Sequence, residues 1–138
     1  MKKSNVFSSE SEIKCSVCGK NLMDEPEMAL VNIIQNMQTN KIVYVKPCCK
    51  GACDKQIERM AKQGELSGWK DLTDMLNPYL YMKHIMSVMN SMDEGEGFEN
   101  KEAFEDYKTL LLNLYPYIAR DISEEEKRTV IISNALPF

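Results

Sequence analysis

Two short cysteine-bearing stretches decide how this chain is read: CSVCGK at positions 15–20 and PCCKGAC at positions 47–53. In the first, two residues separate Cys15 from Cys18. That spacing lets both sulfurs face one ion across a tight turn, and Gly19 permits the left-handed backbone such turns need. Backbone N–H groups of the turn can also spread the thiolate charge. In the second stretch, a helix beginning near Cys49 sets Cys49 and Cys53 at i and i+4, on one face. A helix N-terminus carries partial positive charge, which favours thiolates. Cys15, Cys18, Cys49 and Cys53 are therefore the expected ligands of one structural Zn²⁺. Cys48 replaces Cys49 in that set if the chain is still turning at Cys48; Cys49 is preferred.

The chain has five cysteines, none of them beyond position 53. A disulfide scaffold spreads its cysteines and pairs them evenly. An odd, clustered count without an export signal argues for metal ligation in a reducing compartment, so a cytoplasmic location is expected. A redox pair is the competing reading of CxxC. It wants the motif at a helix start after a buried strand, whereas CSVCGK follows the polar residues 1–12, read as a mobile tail without a secretory leader.

Between the two cysteine stretches, residues 27–46 read as two strands. MALVNII is apolar and partly β-branched, KIVYVK carries Ile42, Val43, Tyr44 and Val45, and the polar QNMQTNK suits the turn between them. After Pro47, GACDKQIERMAKQG reads as a short helix with Ile57, Met60 and Ala61 on one face and Gly64 as its stop. The expected organisation is thus a tail over 1–12, a zinc-binding module over 13–66, and a helical region over 67–138.

From Ser67 the spacing predicts helices. SGWKDLTDML places Trp69, Leu72, Met75 and Leu76 on one face, with Trp69 in the core. Pro78 opens a second helix, where proline is tolerated in the first turn. Its apolar stripe of Met82, Ile85, Met86, Met89 and Met92 reads as core packing. DEGEG at 93–97 reads as a flexible joint. A third helix follows, with Asn100 as N-cap, Phe104, Tyr107, Leu111 and Leu114 on one face, and Pro116 as its limit. SEEEKRTVIISNAL has capping-box spacing at Ser123 and Glu126, with Val130, Ile131 and Ile132 as a possible strand instead. The fold class expected is α+β: a zinc-stapled β-hairpin and helix, then a mainly α-helical bundle.

The order of knuckle, hairpin and ligands on the first turn of a helix resembles the treble-clef group of zinc fingers. The resemblance spans about residues 14–62 and rests on CSVCGK, PCCKGAC and the hairpin between them. It departs from the group's pattern in the second pair, where three or four residues intervene in place of two. A simpler zinc ribbon is the neighbouring possibility. Members of the group bind DNA, RNA, proteins or ubiquitin, so the resemblance implies a binding module without fixing its partner. The nuclease members use histidines beside the zinc module, and residues 1–66 contain none.

Charge narrows the classes further. Net charge is −4. Residues 1–66 carry ten Lys/Arg against eight Asp/Glu, and residues 67–138 carry seven against thirteen. That distribution disfavours a general nucleic-acid binder, although Lys14, Lys20, Lys46, Lys50 and Lys55 around the ligands can contact phosphates or offset a four-thiolate centre. His84, the only histidine, lacks a catalytic constellation in the sequence and is read as structural or surface. No phosphate loop, nucleophile set or open metal site is visible, so no enzymatic activity is expected. The expectation is a small regulatory or inhibitory protein acting on another protein, with a composition like that of bacterial or phage chains. A transcriptional nucleic-acid binder is the second reading. A homodimer is possible, and a membrane partner is not expected because no apolar run approaches the ~20 residues of a span.

Overall fold

The computed structural model describes residues 13–118 together with 124, 125, 128, 129 and 132. The fold is α+β, as the sequence leads one to expect. A three-stranded antiparallel sheet contains β1 (Ala29–Asn36), β2 (Ile42–Cys49) and β3 (Glu65–Asp71) in the order β2-β1-β3. Helices α1 (Ala52–Glu58), α2 (Leu72–Met75), α3 (Pro78–Asp93) and α4 (Lys101–Ile118) complete the described elements.

The hairpin expected between the cysteine stretches is present. β1 and β2 pair from Ala29 opposite Cys49 to Ile34 opposite Tyr44, with a shift before Gln35 meets Ile42. The turn is built by its asparagines. The Asn36 side chain accepts from the N–H groups of Gln38 and Thr39, and Asn40 takes the left-handed conformation at φ 59° that asparagine tolerates.

β1 is central and almost wholly buried, so both faces of the sheet are covered. Register shows which residues share a side, since directly opposed residues point the same way. Asn32 reaches Asp54 on α1, and Cys48 lies on the same face. Val45 and Lys70, on the opposite face, line cavities shared with α4 and α3 respectively. α1 therefore covers one side and the long helices cover the other. The core contains Val31, Ile34, Val45, Ile57, Leu72 and Leu114, each at most 2% exposed.

Several local expectations are corrected. Residues 65–71 form β3 and not the start of a helix; the helical spacing of Leu72, Met75 and Leu76 holds only from Leu72 onward. Pairing with β1 along its whole length overrides the weak local pattern. β3 crosses position 66/67, so residues on both sides of that position share one sheet. Trp69 is not in the core but 60% exposed. It lies opposite Asn32 on the α1 face, and the seven-residue α1 packs over β2 and β1.

The methionine stripe is also corrected. α3 packs through Tyr81 and Val88, with Ile85 partly buried, while Met82, Met86, Met89 and Met92 face outward. The Tyr81 hydroxyl donates to the carbonyl of Leu111 at 2.9 Å, fixing α3 against α4. DEGEG is not a free joint. The Ile42 N–H donates to the Gly97 carbonyl at 2.6 Å, and the Glu99 N–H donates to the Ile42 carbonyl at 2.8 Å, tying the segment to β2. Asn100 caps α4 as expected, accepting from the Ala103 N–H at 2.8 Å. Pro116 does not stop α4, which runs two residues further to Ile118. Glu124, Glu125, Arg128, Thr129 and Ile132 are helical, whereas Ser123, Glu126, Val130, Ile131, the terminal LPF and residues 1–12 lie outside the described residues.

Candidate metal centre

The first pair of thiols sits on a knuckle docked at the edge of β2. An isolated bridge between Lys14 and Asn21 closes it, and the Ser16 N–H and hydroxyl both donate to the Pro47 carbonyl at 2.9 Å. Gly19 has φ 78°, the left-handed turn that the motif requires.

The second pair arrives by a different route from the one expected. Cys48 and Cys49 are the last two residues of β2. Strand alternation, not helical spacing, separates them. Cys48 is fully buried under α1, and Cys49 is directed to the knuckle. Lys50 and Gly51 then reverse the chain, with Gly51 at φ 92°, and Cys53 follows in the first turn of α1. Cys49, and not Cys48, thus lies with the other three thiols, and it is the strand that puts it there.

The sulfurs of Cys15, Cys18, Cys49 and Cys53 all lie within 4.8 Å of one another. Cys18 Sγ and Cys49 Sγ are 3.8 Å apart. A tetrahedral ion with sulfur at ~2.3 Å has S–S edges of ~3.8 Å, whereas a disulfide needs ~2.0 Å. The four thiols fit a single metal site and not two cross-links. All five cysteines are free thiols.

Electrostatics point the same way. Burial works against ionising Cys15, but backbone N–H groups of Cys18, Cys49 and Val17 donate to its sulfur and bring it down to about 6. Two of those donors, Val17 and Cys18, lie at 3.4 Å. Burial, hydrogen bonds that the Cys49 thiol donates to Cys18 and Cys15, and repulsion from those sulfurs push Cys49 up to about 12. Burial and the same two neighbours raise Cys53 to about 11. Without a cation, Cys15 ionises readily, whereas Cys49 and Cys53 resist. A divalent cation at the centre would favour the thiolate form of its ligands.

No family model matches this chain, and no curated protein or solved structure matches it.

The supporting shell was not legible in advance. Asn32 is fully buried and donates to Asp54 Oδ1 at 2.7 Å. The Ser67 hydroxyl donates to Asn32 Oδ1 at 3.0 Å. One amide thus joins β1, β3 and the residue beside Cys53. A lone asparagine inside the apolar run MALVNII was the available signal. The lysines around the centre are largely engaged within the chain. Lys20 pairs with Glu25 at 3.4 Å, Lys46 with Asp106 at 3.6 Å and Lys50 with Asp71 at 3.3 Å.

His84 stays apart from the centre. Its ring packs edge-on against Tyr107 at 5.5 Å between centroids. Burial, then the nearby Lys70 ammonium, lowers its pKa below the usual histidine value. It lines a shallow cavity of about 210 Å³ with Asp74 and Ser87, but no hydrogen bond among the described residues links these three. No described helix is long and apolar enough to cross a membrane.

Proposed function

We infer that this is a small zinc-binding protein whose single Zn²⁺ is structural, and that it acts by protein–protein interaction as a regulator or inhibitor, not by catalysis. The observation that carries the reading is the closed set of four thiols, with Cys18 and Cys49 at the edge length of a zinc tetrahedron. Four sulfur ligands fill the coordination sphere and leave no position for substrate or an activated water. Zinc suits such a centre better than copper(II) or nickel(II), whose geometries are square or tetragonal, and iron is another tetrahedral-thiolate candidate. The sequence of knuckle, hairpin and helix keeps the treble-clef resemblance open as a description of residues 14–62.

A protein partner is favoured over nucleic acid by charge. The chain is acidic overall at −4, four thiolates on one divalent ion add about two negative charges, and three of the five lysines near the centre are already paired with carboxylates. Trp69 on β3, 60% accessible, offers an apolar contact of the kind protein partners use.

The test has two parts. Metal analysis of the purified chain is expected to give one zinc per chain, retained by Cys48→Ser and lost by Cys49→Ser. Iron in place of zinc, or no metal, overturns the structural-zinc reading. An electrophoretic shift with DNA and RNA is expected to be absent at about 50 mM salt. A shift that disappears by about 200 mM would replace the protein-partner reading with the nucleic-acid one.

A further inference from the structure

A row of exposed side chains on α3 has no role in the metal centre. Tyr79, Met82, Met86 and Met89 follow one another at spacings of three, four and three residues, and Asp93 continues the row after four more. Their exposures are 72%, 55%, 50% and 57%, and Asp93 is exposed as well. Single exposed methionines are ordinary. A seam repeated at the heptad positions that face a neighbouring helix is not. The side of α3 that serves the core, through Tyr81 and Val88, is separate from it.

We propose that α3 forms the two-fold interface of a homodimer, with this row packed antiparallel against the same row of a second copy. The proposal goes beyond the zinc reading and does not depend on it.

The order of residues supports a second copy as the occupant. Met86 is the midpoint. Tyr79 and Asp93 each lie seven residues from it, ~10.5 Å along the axis at 1.5 Å per residue. A two-fold axis through Met86 therefore packs Met86 on Met86 and brings each Tyr79 hydroxyl to the Asp93 carboxylate of the other copy. An isologous contact requires this self-complementarity. Parallel alignment would instead set Asp93 against Asp93, an unfavourable like-charge pair. Area also fits. The exposed parts of Tyr79, Met82, Met86 and Met89 amount to roughly 450 Å² per copy, or ~900 Å² in total, the size of a weak, transient interface. The expected dimer is reversible in the micromolar range.

Sedimentation equilibrium of the full, metal-loaded chain across that range tests the proposal. The expected mass rises with concentration from 15.9 kDa towards twice that value. Met86→Glu brings two carboxylates together on the axis and is expected to weaken the dimer by at least ~100-fold. Tyr79→Phe is expected to weaken it by only a few-fold. Under mild oxidation Met86→Cys should form a disulfide-linked dimer, whereas Met82→Cys, displaced from the axis, should not. Metal content and circular dichroism of each variant establish that it is folded. A chain that stays monomeric throughout, as it would if its own C-terminal residues or a different protein covered α3, overturns the proposal. So does a dimer indifferent to Met86→Glu, or equal cross-linking through Met82→Cys and Met86→Cys.

Discussion

On one side of the sheet, α1 and the knuckle surround four thiols with little apolar burial of their own; α1 contributes a single buried side chain, Ile57. On the other side, α3 and α4 bury Tyr81, Val88, Ala103, Tyr107, Leu110 and Leu114. The knuckle over 13–21 is held by one buried apolar side chain, Ile13, by a few hydrogen bonds and by the thiol cluster. The long helices are held by apolar area. A chain of this size can build one adequate core but not two. A bound metal ion would matter most at this corner, where packing alone does little to order the backbone.

Removing the metal gives the largest expected effect. Cys15→Ser deletes the buried member of the cluster. Structural zinc contributes ~10–16 kcal/mol of apparent binding energy in small zinc-finger peptides, and much of that would be lost here. The variant is expected to lose its zinc. In hydrogen exchange, amides of the knuckle and α1 should lose protection while those in the middle of α4 keep most of theirs. Equal loss in both regions would break the comparison and make the chain a single cooperative unit. Unchanged protection everywhere would remove the metal from the account altogether.

The converse change is smaller. Leu114 is fully buried on α4, and Leu114→Ala should cost ~2–5 kcal/mol through lost transfer energy and the cavity left behind. Thermal unfolding should register that loss while zinc stoichiometry stays at one. Loss of zinc in this variant at temperatures below its melt would show that the two sides are not separable.

Legibility in the sequence followed the same division. Metal ligation is local chemistry, so the cysteine spacing picked out the four residues that the structure brings together. Their route was misread at Cys49 because strand β2 continues through Pro47 to Cys49, and an X–Pro pair inside a strand looks like an end. Pro47 is tolerated there because β2 lies at the edge of the sheet. Sheet pairing is non-local. Nothing in ELSGWKD alternates strongly, and only the partner β1 makes it a strand, which is why the local pattern reads as helical and puts Trp69 in the core. On α3, periodicity showed that an apolar stripe exists but not which way it points. Tyr81, His84 and Val88 form a second stripe of the same period, and contact with Tyr107 and Leu111 decides between them.

Asn32 sharpens the comparison most finely, because it belongs to the sheet by position and to the metal corner by contact. Its amide holds Asp54, the residue after Cys53, and receives the Ser67 hydroxyl. Asn32→Ala leaves the Asp54 carboxylate and that hydroxyl without their partner, at a cost of ~1–3 kcal/mol. A general weakening of the sheet would lower the melt and nothing more. If the amide instead positions the first turn of α1, Cys53 becomes less well held, and zinc should pass to a competing chelator faster than in the native chain. We expect both the lowered melt and the faster transfer, with Leu114→Ala of similar or greater instability showing only the first. Identical transfer rates for Asn32→Ala and the native protein would assign Asn32 to the sheet alone.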